Sequence, residues 1–250
     1  MFSITILTTL HSEGFIANAT LRNIELCRDR ARSHGACNVT SILLLDRATD
    51  PTNVTASDFA ASRDWVKLVH TDFGDPGLAR NHGMTHVTSD FVGVWDGDDL
   101  MTANWIFAAV THLLTSDSNV ICVPQYIITF DKEHVFLEQP KSISIPKVNL
   151  GMLTSNYWGS WLITRTDILT SVTYKPVYPV SSTGIGSEDW HWNCEQFHKG
   201  RSFWPVQSTA VFYRRRQGTR LSIDQSYFQT YPIKIASTKL FSPIHQKADR

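Results

Sequence analysis

An apolar strand runs directly into three closely spaced carboxylates in residues 91–99, which read Phe-Val-Gly-Val-Trp-Asp-Gly-Asp-Asp. In open α/β sheets, ligands bind beyond the carboxyl ends of the strands. The stretch therefore predicts a ligand site formed around Asp96, Asp98 and Asp99, at the edge of an α/β sheet.

Carboxylates crowded in this way repel one another, and a divalent cation would relieve the repulsion. Mg²⁺ or Mn²⁺ typically takes one or two carboxylates, and the phosphates of a bound donor complete its coordination shell. The alternative is a solvated acidic turn, since Asp-Gly is a common turn dipeptide. The motif alone does not separate these two interpretations.

Strand-like and helix-like segments alternate around this stretch over the first 130 residues. Predicted strands cover residues 2–8, 39–45, 65–70, 91–95 and 120–130. Predicted helices cover residues 16–34, 56–62, 76–87 and 102–114, the last capped by Thr102. This alternation predicts an α/β fold with a doubly wound, mostly parallel sheet.

The second part of the chain has a different pattern. It predicts a loop-rich stretch at 131–160, a strand at 160–165, a short helix at 167–171, an exposed loop at 175–187, a helix from 188 that ends before Gly200, and a strand at 202–213. We interpret residues 1–130 as a donor-binding half and 131–220 as the acceptor-binding, base-carrying half of the same domain. Residues 221–250 form a tail or a link to a further segment.

Composition narrows the function classes. Among 250 residues, 23 are Lys or Arg and 23 are Asp or Glu, and this balance argues against broad nucleic-acid binding, which needs a basic surface. The four cysteines have irregular spacing and form no Cys-x-x-Cys pair, which favours reduced cysteines in a cytoplasmic protein. No stretch approaches the about 18 apolar residues of a membrane span, and the first residues lack a signal-peptide pattern.

Upstream of the acidic turn, residues 75–81 read Asp-Pro-Gly-Leu-Ala-Arg-Asn. Pro76 suits the first position of a short helix, which would carry Arg80 toward the carboxyl end of the acidic strand. An arginine there could make bidentate contacts with a phosphate or with the acidic cluster. The alternative is a surface arginine on an ordinary helix.

A further acidic pair lies in residues 186–192, Gly-Ser-Glu-Asp-Trp-His-Trp. Asp189 is a candidate general base for an acceptor hydroxyl, and Glu188 is a candidate acceptor contact. The alternative is that both carboxylates only stabilise the start of a helix through its dipole. Four tryptophans could form a sugar-stacking wall, although core packing is the commoner role: Trp158, Trp161, Trp190 and Trp192.

Five motifs in this order resemble family 2 glycosyltransferases, which are inverting enzymes with the GT-A fold. The resemblance covers roughly residues 2–220 and rests on Thr8, Asp46, the segment 77–81, the Asp-Gly-Asp at 96–98 and the Glu-Asp pair at 188–189. Residues 211–218 also resemble the late Tyr-Arg-rich strand of the family. The chain departs from the family where Leu-Thr-Thr-Leu at 7–10 replaces the usual Pro-Thr-Tyr-Asn and where Arg47 follows Asp46, so the sequence does not identify the nucleotide.

The resemblance implies a role for each matching residue. On the donor side, Thr8 and Asp46 would line the nucleoside pocket, Arg80 would contact the donor or hold the acidic loop, Asp96 would face the ribose, and Asp98 would coordinate the metal. On the acceptor side, Asp189 would be the catalytic base and Glu188 an acceptor contact.

The implied reaction moves a sugar from a nucleotide-diphosphate sugar to an acceptor hydroxyl in one inverting displacement, with Mn²⁺ or Mg²⁺ as cofactor. The implied acceptor is a saccharide or glycoconjugate, in bacterial-type polysaccharide or glycoconjugate synthesis. We expect a cytoplasmic enzyme with no nucleic-acid partner and no membrane span, a setting that allows peripheral membrane association.

Two other readings stay open. A sugar nucleotidyltransferase would use a similar sheet and metal, but it needs a Gly-rich basic loop after the first strand, and residues 9–14 match that poorly. A non-catalytic carbohydrate- or partner-binding module would not need the intact Asp98 and Asp189. The sequence argues against a dehydrogenase, since no Gly-x-Gly-x-x-Gly motif follows any predicted strand.

Overall fold

The structure is a computed structural model, and it describes residues 2–132, 134–142, 152, 156–177 and 187–216. Most of the predicted exposed loop, at 178–186, and the predicted tail at 221–250 lie outside these residues. The described cysteines are all buried and free. Within the described ranges, none of the helices combines the length and the apolar character needed to cross a bilayer.

Strands and helices alternate through the first half of the chain. The strands are β1 (Ser3–Leu10), β2 (Asn38–Asp46), β3 (Val66–Thr71), β4 (Phe91–Asp96), β5 (Leu100–Met101), β6 (Val120–Asp131), β7 (Phe136–Glu138), β8 (Leu162–Arg165) and β9 (Ser202–Arg215). The helices are α1 (Ile16–Ser33), α2 (Asp50–Ala60), α3 (Pro76–Met84), α4 (Trp105–Thr115), α5 (Thr166–Thr170) and α6 (Glu188–His198).

The described strands form one sheet in the order β3-β2-β1-β4-β8-β6-β9-β5, with β7 paired to β6. Strands β1, β2, β3, β4, β6 and β9 share one direction, while β5, β7 and β8 run against them. The sheet is therefore mostly parallel, as predicted. Two neighbouring strands near the middle of the sheet, β1 and β4, end side by side, with Thr9 opposite Asp96.

Apolar residues cover both faces of the sheet, which is the condition for a parallel sheet to be stable. On one face, Ile4 and Ile6 of β1 pack with apolar residues of α1, α2 and α4. On the other face, Leu7 of β1 and Val94 of β4 pack with α3, α5 and α6. Because α3 and α6 share this second face, the segments that carry Arg80 and Asp189 meet on one side of β4.

The predicted α/β, doubly wound class is confirmed, and several boundaries differ. Helix α2 begins at Asp50, six residues before the predicted start, because Pro51 suits a helix N-terminus. Helix α4 begins at Trp105, so Thr102 does not cap it. The Thr102 hydroxyl instead accepts a hydrogen bond from the backbone N–H of Ala210 at 3.2 Å, which ties this turn to β9. The short strands β5 and β7 were not predicted.

Candidate active site

The acidic turn after β4 is in close contact with the end of β1. A Cβ at Gly97 would lie 2.5 Å from Leu10 Cδ2 and 2.6 Å from the backbone oxygen of Thr9, so only glycine fits without a shift. Strands β1 and β4 therefore fix this turn, and its three carboxylates reach three different sets of partners.

Asp99 is the structural carboxylate of the turn. It has no exposed surface, and its two oxygens accept hydrogen bonds from Trp161 Nε1 at 2.7 Å and from the backbone N–H of Arg214 at 2.8 Å. Burial, together with the nearby charges of Asp98 and Asp96, raises the pKa of Asp99 well above its ordinary value. Asp99 thus anchors the turn to β9 and to the segment before β8.

Arg80 bridges the acidic turn and the start of α6. Its Nη2 lies 2.6 Å from Asp96 Oδ1, and its Nη1 lies 2.6 Å from Glu188 Oε1. The other oxygen of Asp96 accepts a hydrogen bond from the Ser160 hydroxyl at 2.5 Å. Since its side chain is only 3% exposed, Arg80 is not a surface arginine. It is a buried residue that holds the acidic loop in place.

The surroundings of Arg80 are buried, and several polar atoms there lack a hydrogen-bond partner among the described residues. Its guanidinium lies 5.4 Å from the ring centroid of Tyr174. Burial disfavours the charge on Arg80, but Asp96 and Glu188 outweigh it, so the net shift of the Arg80 pKa is upward. Within the part of the chain that the structure describes, Arg80 Nε, Glu188 Oε2 and the Tyr174 hydroxyl are buried without a hydrogen-bond partner. Buried polar groups that lack partners, like perturbed pKa values, are commoner at functional sites.

Asp98 pairs with a different arginine, Arg216, which directly follows β9. Its Oδ2 lies 2.8 Å from Arg216 Nη2, and both side chains are partly exposed, at 17% and 23%. Burial raises the pKa of Asp98 to about 6, with the Arg216 charge acting in the opposite direction and the Asp96 and Glu13 charges adding to the rise.

The described residues contain no group of three or more His, Cys, Asp or Glu side chains that could hold a metal ion together. Both oxygens of Asp96 and both oxygens of Asp99 already have protein partners. Asp98 differs from Asp96 in its guanidinium partner, because Arg216 is 23% exposed whereas Arg80 is only 3% exposed, so a divalent cation can reach and replace Arg216. This arrangement fits a divalent cation held by one carboxylate and completed by donor phosphates, a mode typical of Mg²⁺.

Asp189 lies in the first turn of α6, next to the residue that Arg80 holds. Its Oδ1 accepts the backbone N–H of Trp190 at 2.7 Å, and its Oδ2 accepts the Asn156 side-chain amide at 3.0 Å. Burial, and after it the Glu188 charge, raises the pKa of Asp189 to about 7, while Arg80 acts in the opposite direction. A carboxylate that titrates near pH 7 is suited to general-base catalysis.

The two residues predicted for the nucleoside pocket are enclosed by protein. Asp46 is 5% exposed, and its oxygens accept hydrogen bonds from the Thr71 hydroxyl and from the backbone N–H groups of Phe73 and Asp75, at 2.8–2.9 Å. Asp46 therefore orders the loop from β3 to α3. Thr8 has no exposed surface, so its predicted direct contact with a nucleoside conflicts with its place in β1.

The predicted sugar-stacking wall is wrong for three of its four tryptophans, because they belong to the core. Trp158 and Trp192 have no exposed surface and stack on Phe203 and Tyr174, with ring centroids 4.1 and 5.6 Å apart. Trp161 is 5% exposed and donates to Asp99. Trp190 alone of the four is half-buried, with its indole N–H donating to the Met152 carbonyl at 2.8 Å.

Sequence reasoning assigned no role to four residues that shape the site: Glu13, Asn156, Ser160 and Arg216. Asn156 and Ser160 lie in a stretch without periodicity, so no local signal marks them. Arg216 belongs to the run Arg214–Arg216, which is a visible basic patch, although the sequence does not indicate that it folds back onto Asp98.

The sequence model described as glycosyl transferase family 2 matches residues 6–172. No curated protein gives a significant match to the chain.

Similar solved structures share the fold at low identity. TarS from S. aureus in complex with UDP-GlcNAc is 15% identical with a TM-score of 0.66, over 88% of this chain and 60% of that one. The mannosyltransferase PcManGT from Pyrobaculum calidifontis in complex with GDP-Man and Mn²⁺ is 14% identical with a TM-score of 0.59, over 87% and 57%. GalNAc-T7 with UDP, GalNAc and Mn²⁺ is 14% identical with a TM-score of 0.61, over 87% and 45%.

These similarities confirm the expected GT-A-type fold. The chain spans less than two thirds of the length of each of these three structures.

Proposed function

The chain belongs to glycosyl transferase family 2, and we propose that it is an inverting glycosyltransferase that moves a sugar from a nucleotide-diphosphate sugar to an acceptor hydroxyl. The observation that carries the proposal is the Arg80 bridge, because it ties the two acidic motifs together through contacts of 2.6 Å on each side. One motif presents Asp98 for a cation and donor, and the other presents Asp189 as a base.

In this reaction Asp189 accepts the proton of the acceptor hydroxyl as that oxygen attacks the anomeric carbon. The hydrogen bonds from Asn156 and from the Trp190 backbone hold the carboxylate in place. The bond to the diphosphate breaks as the new glycosidic bond forms, through an oxocarbenium-like transition state. A single displacement with one base inverts the anomeric configuration.

Asp98 is the residue that would hold Mn²⁺ or Mg²⁺, and Asp96, fixed by Arg80 and Ser160, would lie on the ribose side. When bound there, the cation supplies Lewis-acid charge stabilisation for the leaving diphosphate. PcManGT and GalNAc-T7 were solved with Mn²⁺, which supports this ion. Nucleotide sugars in the TarS and PcManGT structures support the same donor class here.

The finer parts of the proposal rest on sequence resemblance. We propose a donor half at 1–130, an acceptor half at 131–220 with Trp190 and Glu188 near the acceptor, and a saccharide or glycoconjugate acceptor. A role in polysaccharide or glycoconjugate synthesis in the cytoplasm, a setting that allows peripheral membrane association, is part of the same proposal. The 221–250 segment, proposed as a tail or link, lies outside the described residues.

Donor turnover tests the proposal without knowledge of the acceptor, because many glycosyltransferases slowly hydrolyse their donor. We expect one nucleotide sugar, from a panel of UDP- and GDP-sugars in Mn²⁺, to release nucleoside diphosphate. Asp189→Asn and heat-denatured protein are the controls. Release of inorganic pyrophosphate from nucleoside triphosphate and sugar phosphate would instead identify a nucleotidyltransferase.

Replacing Asp98 should remove the effect of the cation. We expect Asp98→Ala to bind UDP or GDP in Mn²⁺ as weakly as the wild type does in chelator, because the only turn carboxylate facing a replaceable cation is lost. The side chain is 17% exposed and lies outside the core, so the melting temperature should stay within a few degrees. Calorimetry measures the affinity, and undiminished Mn²⁺-dependent binding by the variant would exclude Asp98 as the metal ligand.

A further inference from the structure

Arg216 follows β9 and places its guanidinium between two carboxylates. Its Nη2 lies 2.8 Å from Asp98 Oδ2 and 3.6 Å from Glu13 Oε1. Glu13 is itself held, since its Oε2 accepts the backbone N–H of His11 at 2.5 Å and its Cγ lies against the Gly97 turn. The guanidinium therefore occupies the position beside Asp98 that a bound divalent cation would need.

A guanidinium and a divalent cation cannot share one carboxylate oxygen without strong repulsion between their charges. A cation that binds Asp98 through Oδ2 must therefore displace Arg216. Glu13 offers the displaced guanidinium a second anionic partner close by. Within the described residues, the Arg216 Nε is buried without a hydrogen-bond partner, so the side chain still has an unused donor.

We propose that Arg216 is a further donor-site residue that neutralises Asp98 in the donor-free protein and moves onto the donor diphosphate when the donor and its cation bind. The inference rests on the proposed function and extends it to a residue outside the two acidic motifs. The diphosphate brings the negative charge that the guanidinium loses when it leaves Asp98. Arginine suits this exchange because its planar donors match both carboxylate and phosphate.

The exchange makes binding of the cation and the diphosphate synergistic. Mn²⁺ alone has to displace Arg216 from Asp98, and the guanidinium then keeps only Glu13, which it already faces at 3.6 Å, so the ion binds weakly. Mn²⁺ together with a nucleoside diphosphate supplies a new anionic partner, so the pair binds far better than either alone.

The test compares wild type with Arg216→Gln, in which the charge is removed and much of the length is kept. We expect Mn²⁺ alone, followed by the electron paramagnetic resonance signal of the free ion, to bind Arg216→Gln about tenfold more tightly, as the loss of one charged hydrogen bond implies. We expect UDP or GDP in saturating Mn²⁺ to bind it about tenfold more weakly. Arg216→Lys should return the Mn²⁺ affinity toward that of the wild type.

Arg215→Gln is the matched control, because Arg215 is exposed and lies 3.3 Å from the Tyr213 hydroxyl. It should leave the affinity for Mn²⁺ alone unchanged. Equal Mn²⁺ affinity of Arg216→Gln and wild type would overturn the competition between Arg216 and the cation. Undiminished nucleotide affinity in Arg216→Gln would overturn the transfer to the diphosphate. Failure of the wild type to bind UDP, GDP or any other common nucleoside diphosphate would refute the proposed function, and the comparison with Mn²⁺ alone would still decide whether Arg216 competes for Asp98.

Discussion

Asp189→Asn should lower the rate of sugar transfer by about 10²–10⁴-fold at saturating donor, because it removes the basic oxygen and keeps the size of the side chain. That loss equals roughly 3–5 kcal/mol of activation free energy. Donor affinity should change little, since the base faces the acceptor. A near-normal rate would exclude Asp189 as the base.

The pH dependence of the transfer rate is a second test of Asp189 as the catalytic base. The base must be ionised, so the wild-type rate should rise with pH through about 7, where Asp189 titrates, and reach a plateau above it. The residual rate of the Asn variant should lack this inflection. A wild-type rate that falls over this range would contradict a carboxylate base.

The free energy of unfolding should also depend on pH through Asp189, but it should fall as pH rises, whereas the transfer rate should increase. The folded-state pKa of Asp189 is raised to about 7, above the value of about 3.9 in an unfolded chain, so the folded state binds more protons between these values. The contribution of Asp189 to stability is therefore lost as pH rises from about 4 to about 7. Asp189→Asn should remove this pH dependence, measured by melting temperature. The stability that the substitution gains at higher pH is limited, because the new amide would face Asn156 Nδ2, which donates a hydrogen bond to the carboxylate in the wild type.

Glu188→Gln is the matched comparison for the base. Glu188 is 4% exposed and pairs with Arg80, so the neutral amide weakens a buried ion pair and should lower the melting temperature. It keeps Asp189 intact, so its rate should fall less than that of Asp189→Asn. If both substitutions only disturbed the helix start, the two variants would lose similar small amounts of stability, about 1 kcal/mol, and both would stay active.

Arg80→Ala should cost about 3–5 kcal/mol of unfolding free energy, because it leaves the buried carboxylate of Glu188 and the partly buried carboxylate of Asp96 without their cation. For a chain of this size the melting temperature should fall by roughly 6–20 °C. Donor binding should weaken as well, because Asp96 would lose the contact that fixes the acidic turn. Calorimetry and a thermal melt measure the two effects.

Two variants separate the Arg80 bridge from a general loss of charge. Arg32 is exposed at the end of α1, so Arg32→Ala should change the unfolding free energy by no more than about 0.5 kcal/mol and leave donor binding intact. Arg80→Lys keeps the charge but presents one ammonium, which cannot bridge both carboxylates as the guanidinium fork does. It should be less damaging than Arg80→Ala. Arg80→Ala with the stability and donor affinity of Arg32→Ala would rule out the bridge.

The sheet and the acidic turn were predictable because their signals are local. Strand β4 was predicted at 91–95 and found at Phe91–Asp96, and the turn that follows carries its carboxylates within four positions. The alternation of strands and helices was sufficient for the mostly parallel order, since parallel strands need helical crossovers. Boundaries such as the start of α4 were less predictable, because a contact with distant β9 decides the conformation of Thr102.

The ion pairs of the site were not predictable because they join residues far apart in the chain. Glu188 is 108 residues from Arg80, and Arg216 is far beyond Asp98, so no spacing marks either pair. The tryptophans show the same limit, since a buried and a ligand-facing indole look alike in sequence. Trp158 and Trp192 turned out to be core residues because the second face of the sheet has apolar partners for both rings.

Calorimetric titration of the full chain with UDP and with GDP, in Mn²⁺ and then in chelator, tests the central claim most directly. The account predicts saturable binding of one nucleoside diphosphate in Mn²⁺, and a large loss of affinity when the cation is removed. Equal affinity with and without the cation, or no binding of UDP, GDP or any other common nucleoside diphosphate, would contradict a metal-dependent nucleotide-sugar site at Asp98.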